Sequence, residues 1–312
     1  MLIELSDISK EYSKAASPSL SGVNAVFKNG DVVAFIGHNG AGKSTLLNIV
    51  CSAITASGGT YRLDGVDITR EPEIIRTHMG YFSDPDRSLY LRLSARENVE
   101  RFCKLKGIWY SGKTKEQIVD LSRRFGLEEH MDQQVRKFSK GMKVKLNILL
   151  ALLGDNELLI MDEPFAALDG NIIVELLGIL AEQAKAGKII LISSNELFDL
   201  EFLCNRVIAL NLGNVVFDGG IEAVLGTLPG NGALELYCLD PASVWERVRN
   251  ESTLHIADAM SYYNKLLLLS DASPEDYVYL SESKTYGDCS VMLRKKNLYD
   301  FIGKYCTGGK EA

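Results

Sequence analysis

The sequence is poor in the features that would place a chain inside a membrane, outside the cell or on nucleic acid. None of its 312 residues falls in an apolar run close to the ~20 residues that a membrane-crossing helix needs. The longest candidate, 146–153, contains Asn147 and ends at Gly154-Asp155. The first residues read MLIELSD, with Glu4 and Asp7 where a secretion signal would be apolar. Any link to a membrane is therefore expected to run through a partner. Basic residues are in deficit, with 34 Lys and Arg against 41 Asp and Glu, a net charge of −7. A phosphate backbone selects clustered cations, so nucleic acid is not expected as the main partner. Arg123-Arg124 and Arg294-Lys295-Lys296 read as solvated faces. The six cysteines, at 51, 103, 204, 238, 289 and 306, include no C-x-x-C pair. That speaks against a disulfide framework or zinc site and leaves buried, reduced thiols as the expectation.

What is present is an ordinary globular composition, 46% hydrophobic and 24% charged, in a chain long enough for about two domains. The first 80 residues read as short strands and turns, with alternation over 2–5, a fully apolar strand over 32–36, and 60–63 running into Asp64-Gly65. Helical periodicity follows Ser44 and dominates 86–150, with helices expected over 93–105, 115–125 and 141–153. Strand character returns at 158–161, 189–192 and 206–210, with a helix over 171–184 between the first two. Strands alternating with helices predict a mainly parallel sheet covered on both faces. The helical block is too long for a loop and reads as an inserted subdomain. The turn-rich stretch 226–232, GTLPGNG, marks a boundary. The expected organisation is thus a 1–225 domain with 86–150 inserted, and a small α/β appendage over 226–312. In the appendage, strands over 234–239, 266–269 and 291–293 precede helix starts at Asp240-Pro241, at Ser273-Pro274-Glu275-Asp276 and at 297–305.

Two motifs carry chemistry. Residues 37–44, Gly-His-Asn-Gly-Ala-Gly-Lys-Ser, fit G-x-x-x-x-G-K-[ST] between an apolar strand and a helix. Gly37, Gly40 and Gly42, with Asn39 and Ala41 between them, let backbone amides approach phosphates, and the following helix start, with Thr45 in its first turn, adds positive potential. Lys43 supplies an ammonium for the β- and γ-phosphates, and Ser44 a hydroxyl for Mg²⁺. The motif predicts that ATP or GTP is bound. The second motif is 158–164, Leu-Leu-Ile-Met-Asp-Glu-Pro, an apolar strand ending in two carboxylates. Buried acids at such an edge cost several kcal/mol unless a metal or donors pair with them. Asp162 suits the Mg²⁺ shell, and Glu163 is placed to orient or deprotonate an attacking water.

Between these motifs, Phe138-Ser139-Lys140-Gly141-Met142 opens a helix about twenty residues before the acidic strand. By itself it reads as an N-cap. The order phosphate loop, helical insert, F-S-K-G-M, L-L-I-M-D-E-P and Ala166-Ala167-Leu168-Asp169 resembles the nucleotide-binding subunits of ATP-binding cassette (ABC) transporters over 1–225. The separate cytosolic subunit and S-K-G-M-K variant look most like the ATPases of export-type (ABC-2-like) systems. The resemblance implies a P-loop NTPase fold with an antiparallel β part at the N-terminus, and two subunits facing head to tail around ATP. It makes Ser139, Lys140, Gly141 and Met142 a signature acting across the dimer, Asp169 the acid linking the two sites, and Tyr12 the aromatic stacked on adenine. The implied partners are an integral-membrane permease and a second ABC subunit, identical or not, on the cytoplasmic face of the cell membrane.

Three departures from that pattern bear on rate. The signature is F-S-K-G-M in place of L-S-G-G-Q. Asp84 stands where the family carries a glutamine that serves the metal and the water, and it cannot donate when ionised. Asn195 stands where the family has a histidine on the γ-phosphate. Its neutral hydrogen bond lacks the charge that roughly doubles such bonds. With Glu163 present, the expectation is hydrolysis that is slow. A regulatory subunit that binds ATP with negligible hydrolysis is the alternative, and the acidic balance weighs against a soluble cassette ATPase acting on nucleic acid.

Overall fold

The computed structural model describes all residues except 14–16, 84–87, 195–196, 231, 239, 252–255, 263–264, 271–289 and 307–312. The chain divides into two compact units, Met1–Asp218 and Gly219–Ala312.

In the first unit, β3 (Val32–Ile36), β7 (Leu158–Asp162) and β8 (Ile189–Ser193) are the continuous apolar runs of the sequence, and nearly all of their residues are buried. Strands covered on both faces need apolar residues throughout rather than in alternation. With β6 (Met79–Phe82), β9 (Arg206–Asn211) and β10 (Asn214–Gly219) they form a sheet in the order β10-β9-β3-β8-β7-β6. The pairs β9–β3, β3–β8, β8–β7 and β7–β6 are parallel. A second, antiparallel sheet has the order β2-β1-β4-β5, from β1 (Leu2–Lys10), β2 (Leu20–Lys28), β4 (Gly58–Leu63) and β5 (Val66–Asp67). Its inner face joins α1 (Lys43–Val50) in one core with Phe27, Phe35, Leu46 and Ile160.

β1 runs well beyond the alternation legible at 2–5. Asp7 takes a left-handed φ of 56°, and the register shifts between Leu5 and Ile8. The bulge turns Ile8 back to the core beside Ile3 and Leu5.

The inserted helices are α2 (Ala95–Lys106), α3 (Gly112–Arg124) and α4 (Lys140–Leu152). Ser94 and Glu97 form a reciprocal capping box, Ser94 Oγ accepting from Glu97 N at 3.1 Å and Glu97 Oε2 from Ser94 N at 2.6 Å. At the other end of α2, Lys106 Nζ donates to the Arg76 carbonyl at 2.5 Å and the Met79 carbonyl at 2.6 Å, tying the insert to β6. Burial holds this ammonium below the usual lysine range. After β7 come α5 (Gly170–Lys185) and α6 (Leu197–Leu203).

The division between units falls before α7 (Ile221–Gly226), earlier than the 225/226 boundary read from the turn-rich stretch. The reason lies in α7's partners. It packs on α9 (Leu298–Phe301), and the carbonyls after it are held by the C-terminal segment: Tyr305 Oη donates to Thr227 O at 3.1 Å, and Lys296 Nζ to Gly230 O at 2.6 Å. The second unit is built on a wholly antiparallel sheet in the order β12-β13-β11-β14, from β11 (Gly232–Tyr237), β12 (Ile256–Tyr262), β13 (Lys265–Ser270) and β14 (Ser290–Arg294). α8 (Pro241–Glu251) packs on one face through Val244 and Val248, and Asp240 Oδ1 accepts from Ser243 N at 3.3 Å at its start. The helix expected over 297–305 is only four residues of α-helix, continued as a wider π-type turn over Ile302–Cys306. The start expected at 273–276 lies outside the described residues.

Candidate functional site

Three strand ends meet in the first unit, and each delivers a different polar group. β3 delivers the loop 37–42, which two of its glycines make possible. Gly37 has φ 144°, and a Cβ there would lie 2.3 Å from the Leu210 carbonyl oxygen. Gly42 has φ 109°, and its Cβ would meet the Ser19 carbonyl oxygen at 2.8 Å. Both positions exclude a side chain by contact with backbone. The loop is further held by Ala41 N donating to His38 O at 3.1 Å and Gly213 N to Ala41 O at 3.0 Å. Asn39 and Gly40 form its exposed tip.

α1 starts at Lys43 with no side-chain cap, so its first amides face the loop, an arrangement suited to an anion. Lys43 is buried, and its Nζ donates to the Gly37 carbonyl at 2.6 Å and the His38 carbonyl at 3.3 Å. The ammonium is thus folded beneath the loop. Thr45 Oγ1 lies 2.9 Å from Ser19 Oγ, which joins the helix start to the residue before β2.

β7 delivers the carboxylates. Ser44 Oγ donates to Asp162 Oδ1 at 3.0 Å, bringing together the two residues expected to hold Mg²⁺. A hydroxyl and a carboxylate form a hard oxygen pair that fits Mg²⁺, which takes few protein ligands and completes its shell with phosphate oxygens and water. Glu163 has φ 54°, a left-handed conformation uncommon in a residue with a bulky side chain and costing roughly 1–2 kcal/mol. Such outliers concentrate at functional sites, where surrounding bonds enforce them. Here the enforcing residue is on β8. Glu163 N donates both to Ser193 O at 3.0 Å and to Ser193 Oγ at 3.1 Å. Ser193 Oγ donates in turn to Asp162 Oδ1 at 2.5 Å. The sequence reading passed over Ser193, whose signal was a Ser-Ser pair ending an otherwise apolar strand. Nearby, burial pushes the Tyr81 phenol up to about 12, and the charge of Asp162 adds to the effect.

The F-S-K-G-M segment sits at the start of α4. Ser139 is the N-cap, its Oγ accepting from Met142 N at 3.2 Å. Lys140 is exposed, and Gly141 and Met142 are half-buried. A Cβ on Gly141 would lie 3.1 Å from the Ala167 carbonyl oxygen, so the helix start rests on the loop after Glu163. Lys145 Nζ reaches Asp169 Oδ2 at 3.6 Å, while Asp169 Oδ1 caps α5 by accepting from Ile172 N at 3.2 Å. Tyr12 stands half-exposed after β1, with Lys10 Nζ 5.3 Å from its ring centre.

Asp84 and Asn195 lie outside the described residues. Their neighbours are in place: Asn147 Nδ2, on α4, donates to the Ser83 carbonyl at 2.8 Å, and Ser194 is buried. Cys51, Cys103, Cys204 and Cys238 are buried and form no disulfide.

A strand, a glycine loop and a lysine-led helix beside a strand ending in two acids define a P-loop nucleotide triphosphatase, and the helical insert carrying F-S-K-G-M defines the cassette type. Residues 20–166 match the family model described as ABC transporter. The chain is 33% identical over 228 residues to the ABC transporter ATP-binding protein NatA of Bacillus subtilis, covering 72% of this chain and 91% of that one. It is 28% identical to the daunorubicin/doxorubicin resistance ATP-binding protein DrrA of Streptomyces peucetius, covering 79% and 73%. A solved ATP-binding subunit of an ABC transporter superposes with a TM-score of 0.65 at 31% identity, over 72% of this chain and 92% of that one. The chain belongs to the ATP-binding subunits of ABC transporters, a family of ATPases.

Proposed function

We propose that this chain hydrolyses ATP slowly to drive an integral-membrane permease, and that the permease exports its substrate. The observation that carries the reading is the convergence of Lys43, Ser44, Asp162 and Glu163 at the carboxyl ends of β3 and β7, parallel strands on either side of β8, where ligands bind in such sheets. In this reading the amides of Gly37, Asn39, Gly40, Ala41, Gly42 and Thr45 grip the phosphates, and Lys43 leaves the loop carbonyls for the β- and γ-oxygens. Ser44, Asp162 and Asp84 would hold Mg²⁺, which would supply charge neutralisation. Glu163 takes the proton of the attacking water, and Asn195 donates to the γ-phosphate. Tyr12 stacks on adenine, for which its half-exposed ring is available. Stacking of this kind contributes about 1–3 kcal/mol.

A second subunit, identical or paralogous, completes the site. Its signature, Ser139, Lys140, Gly141 and Met142, faces the ATP, with Ser139 and the Gly141 amide contacting the γ-phosphate, and Asp169 couples the two sites. Support comes from Asp169 being tied to Lys145 on the same helix that Ser139 opens. ATP-driven closure of the pair then moves the permease from the cytoplasmic face of the membrane. The permease would be received by 85–98 and the surface beyond it. There Tyr90 and Leu91 are exposed, Arg101 lies 4.3 Å from the Tyr90 ring, and a groove of about 590 Å³ runs past Cys103 to an exposed Trp109. Among the described residues, no helix is long and apolar enough to cross a membrane.

The exporter reading is supported by the resistance proteins DrrA and LnrL among the relatives, the latter 27% identical over 235 residues. A methionine import subunit from Caulobacter vibrioides at 31% identity is the counterweight. Loss of one preorganised donor typically costs ~10²–10³ in rate, so Asn195→His should raise turnover by at least about tenfold. A turnover unchanged or lowered by Asn195→His would favour the second reading, a regulatory subunit that binds ATP beside an active paralogue. Purification from membranes with the partner identified tests the coupling: a multi-span permease is expected, and recovery without one contradicts it.

A further inference from the structure

Ser193 is fully buried at the end of β8, behind Ile189, Ile190, Leu191 and Ile192, all equally buried. A position of that kind ordinarily takes another aliphatic residue, because a buried hydroxyl must find partners. Here one hydroxyl finds two, and both belong to the acidic strand end. Its single proton goes to Asp162 Oδ1 and its lone pair accepts from Glu163 N. The register makes this possible: Ser193 pairs with Phe35 on one side and Asp162 on the other, so it lies in the row joining the end of the phosphate-loop strand to the end of the acidic strand.

Two consequences follow from that geometry. Asp162 Oδ1 accepts from Ser44 and Ser193 together, which restrains the carboxylate from two sides. The amide of Glu163 is held by Ser193 through both its carbonyl and its hydroxyl, at the residue whose φ is left-handed. The same side chain therefore sets the metal-side carboxylate and the backbone from which the proposed base projects.

We infer that Ser193 is a positioning residue for ATP hydrolysis: its hydroxyl locks Asp162 for the divalent cation and Glu163 for the attacking water as one unit. A merely structural hydroxyl would stabilise the strand end without making metal affinity and turnover depend on it. The inference rests on the reading of this site as an ATP hydrolysing one, and the test separates the two.

In the full chain, Mn²⁺ serves as the metal probe, titrated by electron paramagnetic resonance in the presence of ATP. ATP binding in EDTA and phosphate release are measured alongside. Partners of metal ligands typically contribute 10–100-fold to metal affinity or activity, so Ser193→Ala should raise the half-saturating Mn²⁺ concentration about tenfold and lower kcat by at least as much. ATP affinity in EDTA should stay unchanged. Ser193→Thr keeps the hydroxyl on a strand position suited to a β-branched side chain, and should keep the metal response of the unmodified chain. An unmoved Mn²⁺ titration in Ser193→Ala overturns the inference. So does an equal shift in Ser193→Thr, or a loss of ATP affinity in EDTA that parallels the loss of metal. If the unmodified chain releases no phosphate, the proposed function fails, and the Mn²⁺ titration still decides the place of Ser193.

Discussion

Glu163 combines two properties that pull against each other: a side chain suited to proton transfer and a backbone conformation that disfavours any side chain. With φ at 54°, a residue bearing a Cβ is strained there by roughly 1–2 kcal/mol, and only glycine is relieved of it. Glu163→Gly is therefore expected to be more stable than Glu163→Ala by about 1 kcal/mol, read from urea midpoints at constant slope. Equal stability of the two would mean that the left-handed backbone carries no strain. The cysteines are a second matter of single residues. Burial pushes the Cys51 thiol up to about 11 and raises Cys103 and Cys204 as well. A raised thiol stays protonated at pH 8, and the thiolate is the reactive form. Peptide mapping after iodoacetamide should find Cys51, Cys103 and Cys204 unlabelled in the folded chain and labelled in urea. Labelling of Cys51 at equal rates in both would contradict that burial.

The elements were legible where one physical rule dominated. β3, β7 and β8 are covered on both faces, so their sequences are unbroken apolar runs, and 158–161 and 189–192 miss their ends only by Asp162 and Ser193. The helices expected over 141–153 and 171–184 became Lys140–Leu152 and Gly170–Lys185, because Ser139 and Asp169 are side-chain caps. Legibility failed where the deciding contact was distant. The Asp7 bulge hides the second half of β1, since the alternation it restores is out of phase with the first. The antiparallel sheet of the second unit depends on β11 pairing with β13 and β14, neither adjacent to it in sequence. Ser193 was invisible for a related reason: hydroxyls at a strand end usually announce a turn, and only the register across to Asp162 gives this one its partners. The insert offers a test of local control. Ser94 caps α2 by both halves of a reciprocal pair, so Ser94→Ala should lower stability by about 1 kcal/mol in urea unfolding. No change would remove the capping box from the account of how the insert is held.

Across the whole molecule, the chain divides into Met1–Asp218 and Gly219–Ala312. Every residue placed in the nucleotide site lies within Met1–Asp218, and among the described residues the buried cluster around Phe27, Phe35, Leu46 and Ile160 is drawn from that unit. A chain ending at 218 should thus bind ATP as tightly as the full chain, measured by calorimetry. A large loss of affinity would mean that the second unit shapes the site. The polar groups themselves are few: an ammonium under a glycine loop, two hydroxyls on one carboxylate oxygen, and a glutamate on a strained backbone. Their arrangement makes sense as a device for splitting a triphosphate, and that is the claim on which the transport reading depends. Phosphate release by the purified chain with ATP and Mg²⁺, compared with Glu163→Gln, tests it most directly. The expected result is slow release by the unmodified chain, near-complete loss in Glu163→Gln, and undiminished ATP binding in both. Equal release by the two chains would contradict the account at its centre.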